Sequence, residues 1–158
     1  MSVDTAYRTT VNVRRIKSFN KGGYNTEMKL YIRKAVREIS ELYRTEIINV
    51  LDEMSSMPEY ELSIRTQRNK GNSKVLLETG KLRASLVIQN NKLSIKKGST
   101  HGIPYRTMWE IHEYGTDKIP PRPAWGIAWN RVAKQAQIIM SKYMQEYFLN
   151  KISNSLKG

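Results

Sequence analysis

The sequence predicts an α+β domain in which a small antiparallel sheet packs against two long α-helices. Three observations carry that expectation. Apolar residues recur at three- and four-residue steps over two long stretches, one in each half of the chain. Between them, two short runs rich in apolar residues flank Asn90-Asn91, a dipeptide suited to a tight hairpin. Paired glycines and a proline cluster set breaks between the periodic segments.

The 158 residues fall within the usual span of a single domain, and a hydrophobic content of 39% supports a core without metal or crosslink. Cysteine is absent, which removes disulfides, thiolate catalysis and cysteine-based zinc sites together. Residues 1–21 are polar and lack the apolar centre of a signal peptide. No run approaches the roughly 18 apolar residues of a membrane span. A soluble protein made in a cytoplasm, with no membrane partner, is therefore expected. The net charge of +13 points to anionic partners, whether nucleic acid, an anionic surface or acidic protein.

In chain order, residues 1–24 form an N-terminal strand or arm. Residues 9–16 alternate weakly and are rich in β-branched side chains, and Asn20-Lys21-Gly22-Gly23 ends them. From Thr26 to about Met54, Ile32, Val36, Ile39, Tyr43, Ile47, Val50 (or Leu51) and Met54 fall on one helical stripe. Asn25 suits the N-cap, Glu27 favours the first turn, and Pro58 bars continuation. The helix should be about 40 Å long. Residues 65–74 carry four cations, Arg65, Arg68, Lys70 and Lys74, and no acid. They read as an exposed basic loop that can contact phosphate or an acidic neighbour.

The hairpin spans residues 85–89 and 92–96. In its second arm Leu93 and Ile95 alternate with Lys92, Ser94 and Lys96, so one face should be wet. Residues 105–113 suit a short helix with Gly115 close after its end, and Ile119-Pro120-Pro121-Arg122-Pro123 imposes a rigid extended passage. A second long helix is expected over residues 125–151. Trp129, Val132, Ala136, Ile139, Tyr143, Met144, Tyr147 and Phe148 supply its apolar side.

No constellation points to catalysis. Glu110-Ile111-His112-Glu113 lacks the second histidine of a zincin, and His101 and His112 are the only histidines. Ser85, Ser94 and Ser99 have no nucleophile-elbow context, and neither Gly22-Gly23 nor Lys70-Gly71 has phosphate-loop spacing. Carboxylates are few, and the largest group of them lies in the first helix, where a solvated face explains them. No enzyme activity, metal or cofactor is expected.

Two segments carry a different signal. Leu76-Leu77-Glu78-Thr79-Gly80-Lys81-Leu82-Arg83-Ala84-Ser85-Leu86 resembles the "L-x-x-T-G-x-L-R-x-S-I" signature of phage tail-completion proteins, also called virion-morphogenesis, head–tail joining or minor tail proteins. About thirty residues on, Trp109-Glu110-Ile111-His112-Glu113-Tyr114-Gly115-Thr116, followed by Ile119-Pro120-Pro121-Arg122-Pro123, is similar to that family's "Y-A-x-x-H-E-F-G … I-P-x-R-P-F" block. Trp109 and Ala124 depart from the pattern. The motif residues are Thr79, Gly80, Leu82, Arg83, Ser85, His112, Glu113, Gly115, Pro121, Arg122 and Pro123, and they read as scaffolding. Thr79 can cap a helical turn, Gly80 and Gly115 suit unusual backbone, and Arg122 suits a bidentate pair with Glu113 or Glu78.

The resemblance implies a structural protein of a long-tailed bacteriophage that is assembled in the bacterial cytoplasm and resides in the virion at the head–tail junction. Its implied partners are copies of itself in a ring (a hexamer being the candidate stoichiometry), neck or head-completion proteins, and the tail-terminator ring. Loose contact with packaged DNA accompanies these. The rival reading, from the charge, is a basic DNA-binding regulatory or packaging accessory protein.

Overall fold

Helix α1, Thr26–Met54, is unbroken, as its glycine- and proline-free stripe requires. It opens the computed structural model, which describes residues 26–60, 68 and 80–156. The N-terminal strand, the Asn25 cap, Thr79, Glu78 and most of the basic loop (Arg65, Lys70 and Lys74) lie outside the described residues. A 3-10 turn at Pro58–Tyr60 follows α1.

The stripe is unevenly buried. Ile47, Val50, Leu51 and Met54 are inaccessible, whereas Ile32, Val36 and Ile39 are half-buried. In that first half the buried positions are Ala35 and Ser40.

After Gly80 come the single-turn helix α2 (Lys81–Ala84) and the hairpin of β1 (Leu86–Gln89) and β2 (Lys92–Ile95). The register pairs Leu86 with Ile95, Val87 with Ser94, Ile88 with Leu93 and Gln89 with Lys92. Asn90 (φ 52°) and Asn91 (φ 61°) both adopt the left-handed conformation that a type I′ turn requires. Leu86 is fully buried, and Leu93 and Ile95 pack on the core from the same face. The expected strand limits were one residue too long at each outer end. Ser85 instead closes α2, yet its carbonyl still accepts the Lys96 N–H at 2.7 Å.

A second two-stranded sheet, β3 (Ser99–Thr100) with β4 (Ile103–Pro104), turns on His101 (φ 50°) and Gly102 (φ 76°). Helix α3 (Tyr105–Tyr114) follows, and then α4 (Ala124–Ser155), which outlasts its expected end by four residues.

Helices α1 and α4 run antiparallel. Tyr43, in the second half of α1, meets Trp125 and Trp129 at the start of α4, with ring centroids 5.8 and 5.5 Å away. Tyr31 near the start of α1 meets Tyr147 (5.8 Å) and bonds Asn150. Between these contacts the Tyr143 hydroxyl donates to Glu38 (2.8 Å), and beyond Tyr43 on α1, Glu46 (3.0 Å) and Glu53 (2.7 Å) are bridged by Arg131. Exposed ion pairs of this kind fix register more than they stabilise.

The hairpin is tied to α1 by Arg44, whose Nε donates to the Leu86 carbonyl (2.7 Å), and by the Ser40 hydroxyl, which donates to the Asn91 carbonyl (3.4 Å). One apolar cluster joins all these parts: Ile47, Val50, Leu51, Met54, Leu82, Leu86, Trp109, Ala124 and Ala128.

Candidate functional site

The two motif blocks converge on Trp109. From the first block, Leu82 enters the core. Arg83 is buried with its Nη1 donating to Asp52 at 2.7 Å. Ser85 is 1% exposed; its hydroxyl donates to the Leu82 carbonyl (2.5 Å) and accepts the Trp109 indole N–H (3.1 Å). Trp109 then meets Trp125 edge-on at 5.7 Å, which links the first block to the start of α4. Gly80 sits at the N-cap of α2 with φ 68°, a position that favours glycine.

The second block is a joint between α3 and α4. Gly115 (φ 74°, ψ −177°) ends α3, with its N–H donating to the Ile111 carbonyl at 2.8 Å. Residues 116–119 form a tight loop closed by reciprocal Thr116–Ile119 backbone bonds (2.8 and 3.2 Å). The chain then returns past α3, where the Arg122 N–H donates to the His112 carbonyl (2.6 Å), and Pro123 leads into α4. Pro121 is exposed, while His112 and Pro123 are half-buried.

Glu113 fixes the direction of α4. Its carboxylate accepts the Trp125 N–H (3.0 Å) and the Gly126 N–H (2.9 Å), two of the four amides that a helix start leaves unbonded. This corrects the expected Glu113–Arg122 pair. Both Glu113 oxygens are engaged by α4, and the buried Arg122 Nε finds no hydrogen-bond partner among the described residues. Its alternative partner, Glu78, lies outside them. Burial lowers the Arg122 pKa, opposed by Tyr60.

Burial also raises the Glu113 pKa above the ordinary carboxylate range, partly offset by the two backbone bonds. The folded state then holds the proton more tightly than the unfolded chain. This group's contribution to stability therefore falls as pH rises from the unfolded pKa through the folded one. Carbon-detected NMR should find Glu113 titrating above an ordinary exposed glutamate. Glu113→Gln should flatten that part of the stability–pH curve. Titration at or below the ordinary glutamate value would show that the helix amides outweigh burial.

Chemically, these groups point inward. The Ser85 hydroxyl and the Glu113 carboxylate are spent on internal bonds. No group of three or more His, Asp or Glu that could hold a metal occurs among the described residues. No described helix is long and apolar enough to cross a membrane. Of the four cations expected in a basic loop, Arg68 is described; it is exposed as expected, but it is helical and not in a loop.

Two features were not foreseen in the sequence. One is the hub role of Trp109 with Ser85 and Trp125, for which the abundance of aromatics was the sole signal. The other is an open cleft of about 950 Å³ between β2 and the start of α3, lined by Leu93, Ile95, Lys96, Lys97, Tyr105, Arg106 and Trp125 among others. No protein-family model matches the chain, and no curated protein or solved structure matches it either.

Proposed function

We propose that this chain is a structural protein of a long-tailed bacteriophage that acts at the head–tail junction by associating with copies of itself and with neck and tail-terminator proteins. The observation that carries an assembly role is the second apolar face of α4. Val132, Ala136, Ile139 and Tyr147 are buried. Ile138 (51% exposed), Leu149 (66%), Ile152 (58%) and Leu156 (82%) lie on the opposite side. At about 100° per residue, Ile138, Leu149 and Leu156 fall within roughly 20° of one another. Phe148 and, from the start of α1, Leu30 extend the apolar surface at that end. A helix apolar on two sides, with one side open to water, is suited to a further protein surface.

The site chemistry is consistent with this role, because its polar residues are joints and not reactants. The junction itself rests on the resemblance of the two motif blocks. Mass spectrometry of purified virions should detect the chain at a few copies per particle. Its presence in lysate but absence from virions would refute the proposal.

The net charge of +13 favours a second reading, a DNA-binding regulatory or packaging accessory protein. An assembly protein near packaged DNA should bind duplex weakly, without sequence preference and with steep salt dependence. A footprint at one defined sequence that survives physiological salt would favour the regulatory reading instead.

A further inference from the structure

The outer edge of β2 opens on the basic cleft. The Lys96 N–H bond to Ser85 makes that pair a hydrogen-bonded one. Alternation along the antiparallel ladder then makes Val87–Ser94 and Gln89–Lys92 bonded pairs, and Leu86–Ile95 and Ile88–Leu93 non-bonded pairs. The backbone groups of Leu93 and Ile95 therefore point away from β1. On the opposite edge the corresponding outward carbonyl, that of Leu86, is occupied by Arg44. No described residue bonds the outward groups of Leu93 or Ile95.

The cleft lies beside this edge. At Gly98 a side chain would meet the Tyr105 ring at 2.6 Å, so glycine lets that ring lie against the backbone. Lys96, Lys97 and Arg106 line the cleft, and no acid does so among its described residues. Arg106 also pairs with Glu110 at 3.2 Å, which leaves the two lysines as the main source of positive potential.

From this arrangement we infer that the β2 edge receives an extended acidic segment of a partner protein as a third strand. The partner's main chain pairs with Leu93 and Ile95, and its carboxylates meet Lys96 and Lys97. Nucleic acid fits less well. A strand edge offers alternating donors and acceptors, which phosphates cannot complete. Trp125 is already packed edge-on against Tyr43 and Trp109 and is not a free stacking platform. The inference rests on the assembly reading, to which it adds the chemistry of a partner.

The test is an NMR titration of the full ¹⁵N-labelled chain. The probes are an acetylated and amidated octapeptide of alternating Glu and Val, its Lys–Val counterpart, and a 20-nucleotide DNA as single strand and duplex. The Glu–Val peptide should shift the Leu93 and Ile95 amides and slow their exchange. The Lys–Val peptide should bind at least tenfold more weakly, and the Lys96→Glu/Lys97→Glu double variant should lose at least tenfold affinity for Glu–Val. No binding would mean that the lysines merely guard an edge against aggregation, and the inference falls. Equal shifts of the same amides by DNA would assign the edge to nucleic acid. Protection of both amides before any probe is added would mean that the chain's own residues already occupy it. The titration is independent of the virion. A silent titration together with unjoined heads and tails in a phage lacking the chain would remove this inference and leave the junction reading standing.

Discussion

Replacing Gly115 with valine should lower the thermal midpoint by about 2–12 °C, since a forced backbone conformation costs about 1–3 kcal/mol and each kcal/mol moves a domain of this size by about 2–4 °C. Two independent effects oppose the substitution. With φ at 74° and ψ at −177°, the backbone occupies a region that β-branched residues resist. A β-carbon there would also stand 2.8 Å from both the Ile119 carbonyl oxygen and the Pro121 nitrogen. Those are backbone atoms of a loop closed by the Thr116–Ile119 bonds and anchored by the Arg122–His112 bond, so neither can swing aside as a flexible side chain would. Relief would have to come from reopening the joint, which would draw Glu113 off the amides of Trp125 and Gly126.

Gly126→Ala is the matched control. Its β-carbon would meet only a Glu113 carboxylate oxygen at 3.5 Å, an ordinary contact, and alanine is favoured over glycine in a helix by about 1 kcal/mol. That variant should be neutral or slightly stabilised. Thermal denaturation followed by circular dichroism separates the two; an unchanged midpoint for Gly115→Val would mean that the joint is softer than its bonds imply.

Elements with a strong local period were legible in the sequence. The α1 stripe, the Asn90-Asn91 turn, the short α3 and the positive φ of Gly115 each follow from residues within a few positions of one another. Contacts that depend on the third dimension were not. On α4 the sequence places Trp129 and Phe148 with Val132 and Tyr147, yet Trp129 (46% exposed) and Phe148 (54%) remain about half open to water, Trp129 even though its ring packs on Tyr43 of α1. Helical spacing finds apolar residues but cannot tell how deeply each is covered.

Trp109 reads as a departure from the motif, and the fold makes it the hub of both blocks. The partner of its indole N–H, Ser85, lies 24 positions earlier in the chain. The Glu113–Arg122 pair failed for an electrostatic reason. Opposite charges nine residues apart suggested an ion pair, but the start of a long helix offers two aligned N–H donors at once, and α4 placed them within reach of the carboxylate. The His101-Gly102 turn also escaped notice, because histidine is a less familiar first residue of a type I′ turn than asparagine or aspartate.

If the chain acts at the head–tail junction as proposed, a phage lacking it should still fill its capsids and polymerise its tails, and should fail to unite them. In that role the chain acts after heads and tails are built, so its loss should leave both intermediates intact. Micrographs of the lysate should show filled heads beside free tails, with infectious particles reduced by orders of magnitude. The defect should be complemented by the chain supplied in trans. Substitution on the outward face of α4 offers a graded form of the test. Leu149→Glu with Ile152→Glu adds charge where the side chains are already 66% and 58% exposed, so the isolated domain should remain folded while joining declines. Charge reversal at Arg65, Arg68, Lys70 and Lys74 probes the expected basic segment in the same way. If the segment meets an acidic neighbour, reversal lowers joining without unfolding the chain. Normal joined virions from the deletion would place the protein elsewhere in the phage cycle. A lysate without capsids would assign it an earlier role, in head assembly, and the two outcomes are distinguishable in a single negative-stain experiment.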